Sequence, residues 1–128
     1  MIKHYSSFFE RIFLFAGFYN IGAAITFIFG HKWLFPLTNI DNLRIPSFMF
    51  LAFAFVFVFG IGYLIVSKDL SKNHDIVRLG ILSKILAFFV ILHGCVMNNL
   101  PSTLYGAALI DLVWAFIFIN FLRKNIVQ

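Results

Sequence analysis

Long apolar stretches separated by short polar segments dominate the pattern of this chain. Four of them have the length of a membrane-spanning helix, which needs about 20 mostly apolar residues. No charge lies between Lys84 and Asp111, and a single helix through that region would be too long for a bilayer, so we divide it at the turn-forming residues 97–101. The pattern therefore predicts four transmembrane helices, over about residues 7–30, 45–67, 77–98 and 101–122.

Local signals mark the expected starts of these helices. Ser7 and Glu10 have the S-x-x-E spacing of a capping box, which would start the first helix at Ser7. Asp75 is a suitable N-cap for the third helix. Pro46 and Pro101 fit the first turns of the second and fourth helices, where the missing N–H does no harm.

Composition assigns residues 1–128 to a single transmembrane domain. Hydrophobic residues make up 62% of the chain and charged residues only 12%, whereas a soluble domain is about half apolar and about a quarter charged. The net charge of +5 would favour nucleic-acid binding in a soluble protein. Here the basic residues flank the apolar stretches, so we expect the lipid bilayer as the partner and no nucleic acid.

The distribution of basic residues predicts the orientation in the membrane. With the N-terminus inside, the cytoplasmic segments contain Lys3, Arg11, Lys68, Lys72, Arg78, Arg123 and Lys124. The opposite side has only Lys32 and Arg44, in the long loop 31–44, which is apolar enough to lie along the bilayer surface. We therefore predict an all-α, integral membrane antiparallel four-helix bundle with both termini cytoplasmic.

Two charged residues fall inside the predicted helices, and such residues are functional hypotheses by default. Lys84 lies on a face of small and polar residues, and Asp111 lies near the middle of the fourth helix, close to Trp114. If the third and fourth helices form a hairpin about Asn99, the two charges lie about one turn apart, so we predict a Lys84–Asp111 ion pair. The pair could fix helix register or form a ligand site; alternatively, Lys84 could snorkel to the inner headgroups.

The first helix adds further polar candidates. Glu10 and Arg11 open it at the inner interface, where capping and headgroup contacts explain them. Glu10, Gly17 and Ala24 recur every seven residues with Asn20 nearby, so this face could bring Glu10 and Asn20 towards the two buried charges. The candidate ligand or ion-pair residues are therefore Lys84, Asp111, Trp114, Asn20, Glu10 and Arg11.

No catalytic or metal-binding motif accompanies these residues. The single cysteine, Cys95, lies inside an apolar stretch, and neither a C-x-x-C pair nor a Cys/His ligand spacing is present. A G-x-S-x-G nucleophile motif is also missing. We therefore expect no catalytic residue, no metal site and no cofactor.

Three segments carry a resemblance to a known family. Residues 10–20 read ERIFLFAGFYN, residues 80–84 read GILSK, and residues 111–118 read DLVWAFIF. Together they resemble small four-helix bacterial membrane proteins of the DoxX-like type. The resemblance implies a bacterial inner-membrane location and an antiparallel four-helix bundle, and it implies no catalytic residues.

Three functional hypotheses follow. The first is a small binding or accessory membrane protein that holds a lipid-like or apolar ligand, or a partner subunit, in a bundle with a polar floor. The second is a small oligomeric transporter or channel in which Asp111 carries a proton or cation. The third and least favoured is a membrane enzyme, because no nucleophile–base set or metal cluster supports it.

Overall fold

The computed structural model describes residues 2–38 and 46–126, and all regular structure in these ranges is helical. The helices are α1 (Ile2–Thr38), α2 (Pro46–Lys68), α3 (His74–Val96) and α4 (Tyr105–Ile126), with a short 3-10 turn at Ser102–Leu104 before α4. Each of the four α-helices is long and apolar enough to cross a membrane. The predicted all-helical class with four helices of membrane length is confirmed.

Successive helices run antiparallel. In the α1–α2 pair, Phe27 stacks on Phe53 with ring centroids 4.7 Å apart, and further along α1 the His31 ring contacts Phe50. As the chain advances along α1, its contacts therefore move back along α2. The α3–α4 hairpin is also antiparallel. The rings of Phe9 and His74 both contact Phe121, so the beginning of α1, the end of α4 and the α2–α3 connection lie at the same end of the molecule.

An aromatic core joins all four helices near that end. Phe13 of α1 stacks on Phe118 of α4 at 5.0 Å and meets Phe121 edge-on at 4.9 Å. Such ring pairs contribute about 0.5–1.5 kcal/mol beyond the burial of their area. The buried members of this core are Phe9, Phe13, Ala16, Tyr63, Val66, Val77, Phe118, Phe121 and Leu122.

Glycines bring the backbones of α1 and α2 together. A Cβ atom added to Gly17 would lie 2.9 Å from the carbonyl oxygen of Gly60, and a Cβ on Gly60 would lie 2.9 Å from the carbonyl oxygen of Gly17. No larger residue fits without a backbone shift. Small residues at membrane helix crossings allow this kind of close packing.

The first helix is longer at both ends than the sequence signals indicate. It begins at Ile2, so Ser7 lies within the helix and the predicted capping box at its start is wrong. It also continues to Thr38, so the predicted loop 31–44 is helical over its first eight residues, while residues 39–44 lie outside the described part. The helix continues because nothing before Pro36 interrupts its hydrogen-bond ladder, and a proline in the last turn removes few bonds.

The starts of the other helices follow the predictions only in part. Pro46 is the first residue of α2, as predicted. Asp75 is not the N-cap of α3: Asn73 holds that position, and Asp75 lies in the first turn, paired with Arg78. An acidic residue in a first turn is favoured by the helix dipole as well as by capping, which explains the error of two residues. Pro101 precedes the 3-10 turn, so α4 begins later than predicted.

The turn between α3 and α4 is built around Asn98. This residue has φ 56, in the left-handed region that asparagine tolerates better than most residues. The main-chain N–H groups of Asn99 and Leu100 both donate to the carbonyl oxygen of Gly94, at 2.9 and 3.0 Å. The predicted turn at the asparagine pair is confirmed.

Candidate functional site

The two charges inside the helices meet. Lys84 Nζ lies 2.9 Å from Asp111 Oδ1, and the two side chains are 10% and 18% exposed. Because α3 begins at His74, Lys84 lies ten residues along it, about 15 Å from its start and near its middle. The predicted ion pair is present, and the alternative in which Lys84 snorkels to the inner headgroups is wrong, since its ammonium group is held by Asp111.

Asn20 extends this pair to the other two helices. Lys84 Nζ also donates to Asn20 Oδ1 at 3.4 Å, and Asn20 Nδ2 donates to the carbonyl oxygen of Val56 at 3.4 Å. Asn20 is only 3% exposed. A buried amide needs partners for both its oxygen and its nitrogen, and here it has one for each. The polar cluster of Asn20, Lys84 and Asp111 therefore connects all four helices.

Small residues allow the helices to meet at this cluster. On α3, Gly80 is buried one turn before Lys84 and makes room for the Tyr63 ring of α2. On α1, Ala24 is fully buried one turn beyond Asn20. On α4, Ala108 and Ala115 are buried but Ala107 is exposed, so two of the three alanines of this helix point inward.

Glu10 and Arg11 do not join the cluster. Both are exposed, and Glu10 lies ten residues before Asn20, about 15 Å along α1. Near the beginning of α1, the side chains that point inward are those of Phe9 and Phe13, which pack in the aromatic core. The predicted approach of Glu10 to the buried charges is therefore wrong, because the seven-residue repeat did not identify the side of α1 that packs there.

Three aromatic rings lie next to the cluster, at the seam between α1 and α4. Trp114 lies 5.9 Å from Phe15 and 6.0 Å from Tyr19, and the rings of Phe15 and Tyr19 are 6.3 Å apart. Trp114 is one turn from Asp111 on α4, so these rings adjoin the polar cluster. We call Phe15, Tyr19 and Trp114 the aromatic trio. Of these only Trp114 was a sequence candidate; the i, i+4 spacing of Phe15 and Tyr19 is the signal that could have found the others.

The seam is open to the surroundings of the protein. Phe15 is 62% exposed and Tyr19 is 40% exposed. Asp111 uses Oδ1 for Lys84, and its other carboxylate oxygen has no hydrogen-bond partner among the residues that the structure describes. The site therefore combines a hydrogen-bond acceptor with spare capacity and an accessible aromatic wall.

Tyr63 brings a second polar group to the interior. Its side chain is fully buried in the aromatic core, and its hydroxyl has no hydrogen-bond partner in the described part of the chain. The ring packs on Gly80, where an added Cβ would lie 2.7 Å from Tyr63 Oη. The neighbouring hydroxyl, that of Ser83, donates to the carbonyl oxygen of Gly80 at 2.8 Å instead.

A separate groove lies on the surface between α3 and α4. It has a volume of about 470 Å³ and is lined only by apolar residues, namely Ile85, Leu112, Val113, Ala115, Phe116 and Ile119. Neither Lys84 nor Asp111 lines it. The groove is therefore distinct from the polar cluster.

The described residues define an all-helical protein with four helices long and apolar enough to cross a membrane, and with a charged pair in its interior. Within the described ranges, no three His, Cys, Asp or Glu side chains lie close enough together to hold a metal ion. Comparison with models of protein families, with curated proteins and with solved structures gives no match.

Proposed function

We propose that this chain is a multi-pass integral membrane protein that binds a lipid-like molecule at the seam between α1 and α4. The proposal rests on the Asp111 carboxylate, which lies beside the aromatic trio. One of its oxygens is bound to Lys84, and the other has no hydrogen-bond partner among the described residues. An acceptor at the edge of an apolar wall fits an amphiphile, whose polar end would reach Asp111 while its chain lies along the helices. Sites of this kind are mostly apolar with a few placed polar groups.

The surface supports insertion into a bilayer. Large apolar side chains are exposed on all four helices, including Phe29, Phe48, Phe89 and Phe116. Water would make such a surface prone to association, whereas lipid tails cover it without penalty. With seven basic residues predicted on one side and two on the other, the termini are cytoplasmic. The resemblance to the DoxX-like type favours a bacterial inner membrane.

The paired state of Asp111 favours binding over transport. A carrier residue must be free to take up and release its cargo, but the Asp111 carboxylate is held by the Lys84 ammonium group at 2.9 Å. Lys84 is held in turn by Asn20, so releasing Asp111 would disturb contacts to α1 as well. A passive binding or accessory protein, alone or with a membrane partner, requires no such release.

Native mass spectrometry of the purified protein tests this proposal. Wild type is expected to retain a small molecule that the double variant Lys84→Met/Asp111→Asn does not. The double variant is preferred because removing both charges leaves no unpaired charge in the interior. Phe116→Leu, in the separate groove, is the matched control and should retain the molecule. Equal retention by wild type and the double variant, or none by either, would refute the proposal.

A further inference from the structure

The charge balance of the site restricts the headgroup that it can accept. We infer that the site selects amphiphiles with an uncharged, hydroxyl-bearing headgroup, such as a long-chain alcohol, over amphiphiles with a cationic or anionic headgroup. This inference rests on the proposed function and gives the ligand's chemical class. Three features of the site carry it: the neutral ion pair, the spare acceptor and the apolar wall.

The ion pair gives a charged headgroup little net attraction. A cation at the free oxygen of Asp111 would also lie close to Lys84 Nζ, because the two charged groups are only 2.9 Å apart. Repulsion from Lys84 therefore offsets a large part of the attraction to Asp111. The same holds for an anion with the signs reversed. Either ion would still lose its hydration on entering the site, which is expensive when no net charge compensates.

An uncharged hydroxyl group avoids this loss and gains a strong bond. Its O–H can donate to the free oxygen of the ionised Asp111, and hydrogen bonds to a charged acceptor are stronger than those between neutral groups. Lys84 stays bound to Asp111 and Asn20, so the bond requires no rearrangement of the cluster. The site already holds the charge that strengthens the bond.

The aromatic trio accommodates the carbon atoms next to that hydroxyl. Phe15 and Trp114 are stacked, with an angle of 29° between their planes, and the Phe15 side chain is largely exposed at the seam. Apolar contact with them adds to affinity whatever the headgroup is. Both the apolar contacts and the bond to Asp111 therefore contribute to affinity, and only the polar cluster distinguishes one headgroup from another.

Tryptophan fluorescence offers a direct test. The chain has two tryptophans, and Trp33 is 82% exposed and far from the cluster along α1. The variant Trp33→Phe leaves Trp114 as the only reporter. Reconstituted in phosphatidylcholine nanodiscs, it would be titrated with three chain-brominated dodecyl probes that differ only in headgroup: a hydroxyl, a trimethylammonium and a sulfonate. Bromine quenches Trp114 when a probe occupies the seam.

We expect the hydroxyl probe to reach half-saturation at a concentration at least about tenfold lower than either charged probe does. A hydrogen bond to a charged group contributes enough free energy for a ratio of this size. Equal half-saturation for the three probes, or preference for a charged one, would overturn this inference and leave the proposed site standing. If none of the three probes quenches Trp114 in a saturable way, the proposed site itself is refuted. The comparison needs only the Trp33→Phe protein, so it does not depend on the folding of any variant of the cluster.

Two charge variants of the Trp33→Phe protein test whether the ion pair sets the headgroup preference. Lys84→Met leaves Asp111 unpaired, so the preference should move to the trimethylammonium probe. Asp111→Asn leaves Lys84 unpaired, so it should move to the sulfonate probe. Phe116→Leu, in the separate groove, should keep the preference for the hydroxyl probe. An unchanged order in both charge variants would contradict the assignment of selectivity to the ion pair.

Discussion

Lys84 and Asp111 are 27 residues apart in the chain, and their charged groups meet at 2.9 Å in the interior of the four-helix arrangement. Through Asn20 the same ammonium group also reaches α1. An ion pair in this position fixes the relative positions of the helices, and in the proposed site it also leaves one carboxylate oxygen for a ligand.

Removing one member of the pair should destabilise the protein strongly. Lys84→Met and Asp111→Asn should each lower the free energy of unfolding by about 3 kcal/mol or more, because each leaves a buried group without its partner. The double variant should recover most of that loss. Unfolding in mixed detergent micelles, followed by circular dichroism, measures all four proteins. A double variant whose loss equals the sum of the two single losses would show that the groups are not coupled.

The crossing of α1 and α2 should be sensitive to a single methyl group. Gly60→Ala places a Cβ atom 2.9 Å from the carbonyl oxygen of Gly17, so the backbones must separate, and we expect a loss of about 1–3 kcal/mol. Gly22→Ala is the matched control on α1, because nothing lies within 4 Å of its added Cβ. Alanine is about 1 kcal/mol better than glycine in a helix, so this control should be neutral or stabilising. Equal effects of the two substitutions would argue against close contact.

Tyr63→Phe should be neutral or slightly stabilising. The hydroxyl of Tyr63 is buried without a hydrogen-bond partner among the described residues, and such a group is unfavourable by about 1–3 kcal/mol. Phenylalanine keeps the ring in the aromatic core and removes that hydroxyl. The same detergent unfolding assay measures the change. A clear loss of stability would mean that the hydroxyl has a partner, such as a buried water molecule.

The connection between α2 and α3 should respond to pH through Asp69. Hydrogen bonds from the side chain and main chain of Ser71, together with the ammonium group of Lys72, lower the pKa of this carboxyl below its ordinary value. A lowered pKa in the folded state stabilises the protein above the unfolded pKa of about 3.9, and this contribution is lost as the pH falls through the folded pKa. Asp69→Asn should therefore melt at a lower temperature than wild type at pH 7, and the difference should shrink towards pH 3. A difference that does not vary with pH would contradict this role.

The number of helices and the central ion pair could be predicted because both follow from single strong signals. Apolar length alone identifies a membrane helix. A short carboxylate in a helix interior must have a partner, and Lys84 was the charge within reach of Asp111. The first residues of the helices were harder to predict. Ser7 is also acceptable in a helix interior and Asp75 in a first turn, where the structure places them.

The composition of the site could be predicted only in part, because it depends on the rotation of α1. A repeat of small residues indicated one face for Glu10 and Asn20 together, but the structure buries Asn20 and leaves Glu10 exposed. Phenylalanine is so frequent in this chain, at 19 residues, that its pattern does not distinguish core from lipid-facing positions. For the same reason Phe15 could not be assigned to the site from the sequence.

The most direct test of the account is a comparison of the lipids that contact two positions in the same protein. A photoreactive benzoylphenylalanine would replace Phe15 at the seam in one protein and Phe116 in the separate groove in another, with crosslinking in native membranes and mass spectrometry of the adducts. We expect the photoreactive group at position 116 to crosslink to lipids in their bulk proportions. At position 15 we expect it to crosslink to a distinct molecule, and this adduct should disappear when Lys84→Met/Asp111→Asn is added. The same adducts at both positions, unchanged by removal of the pair, would contradict a ligand site at the seam.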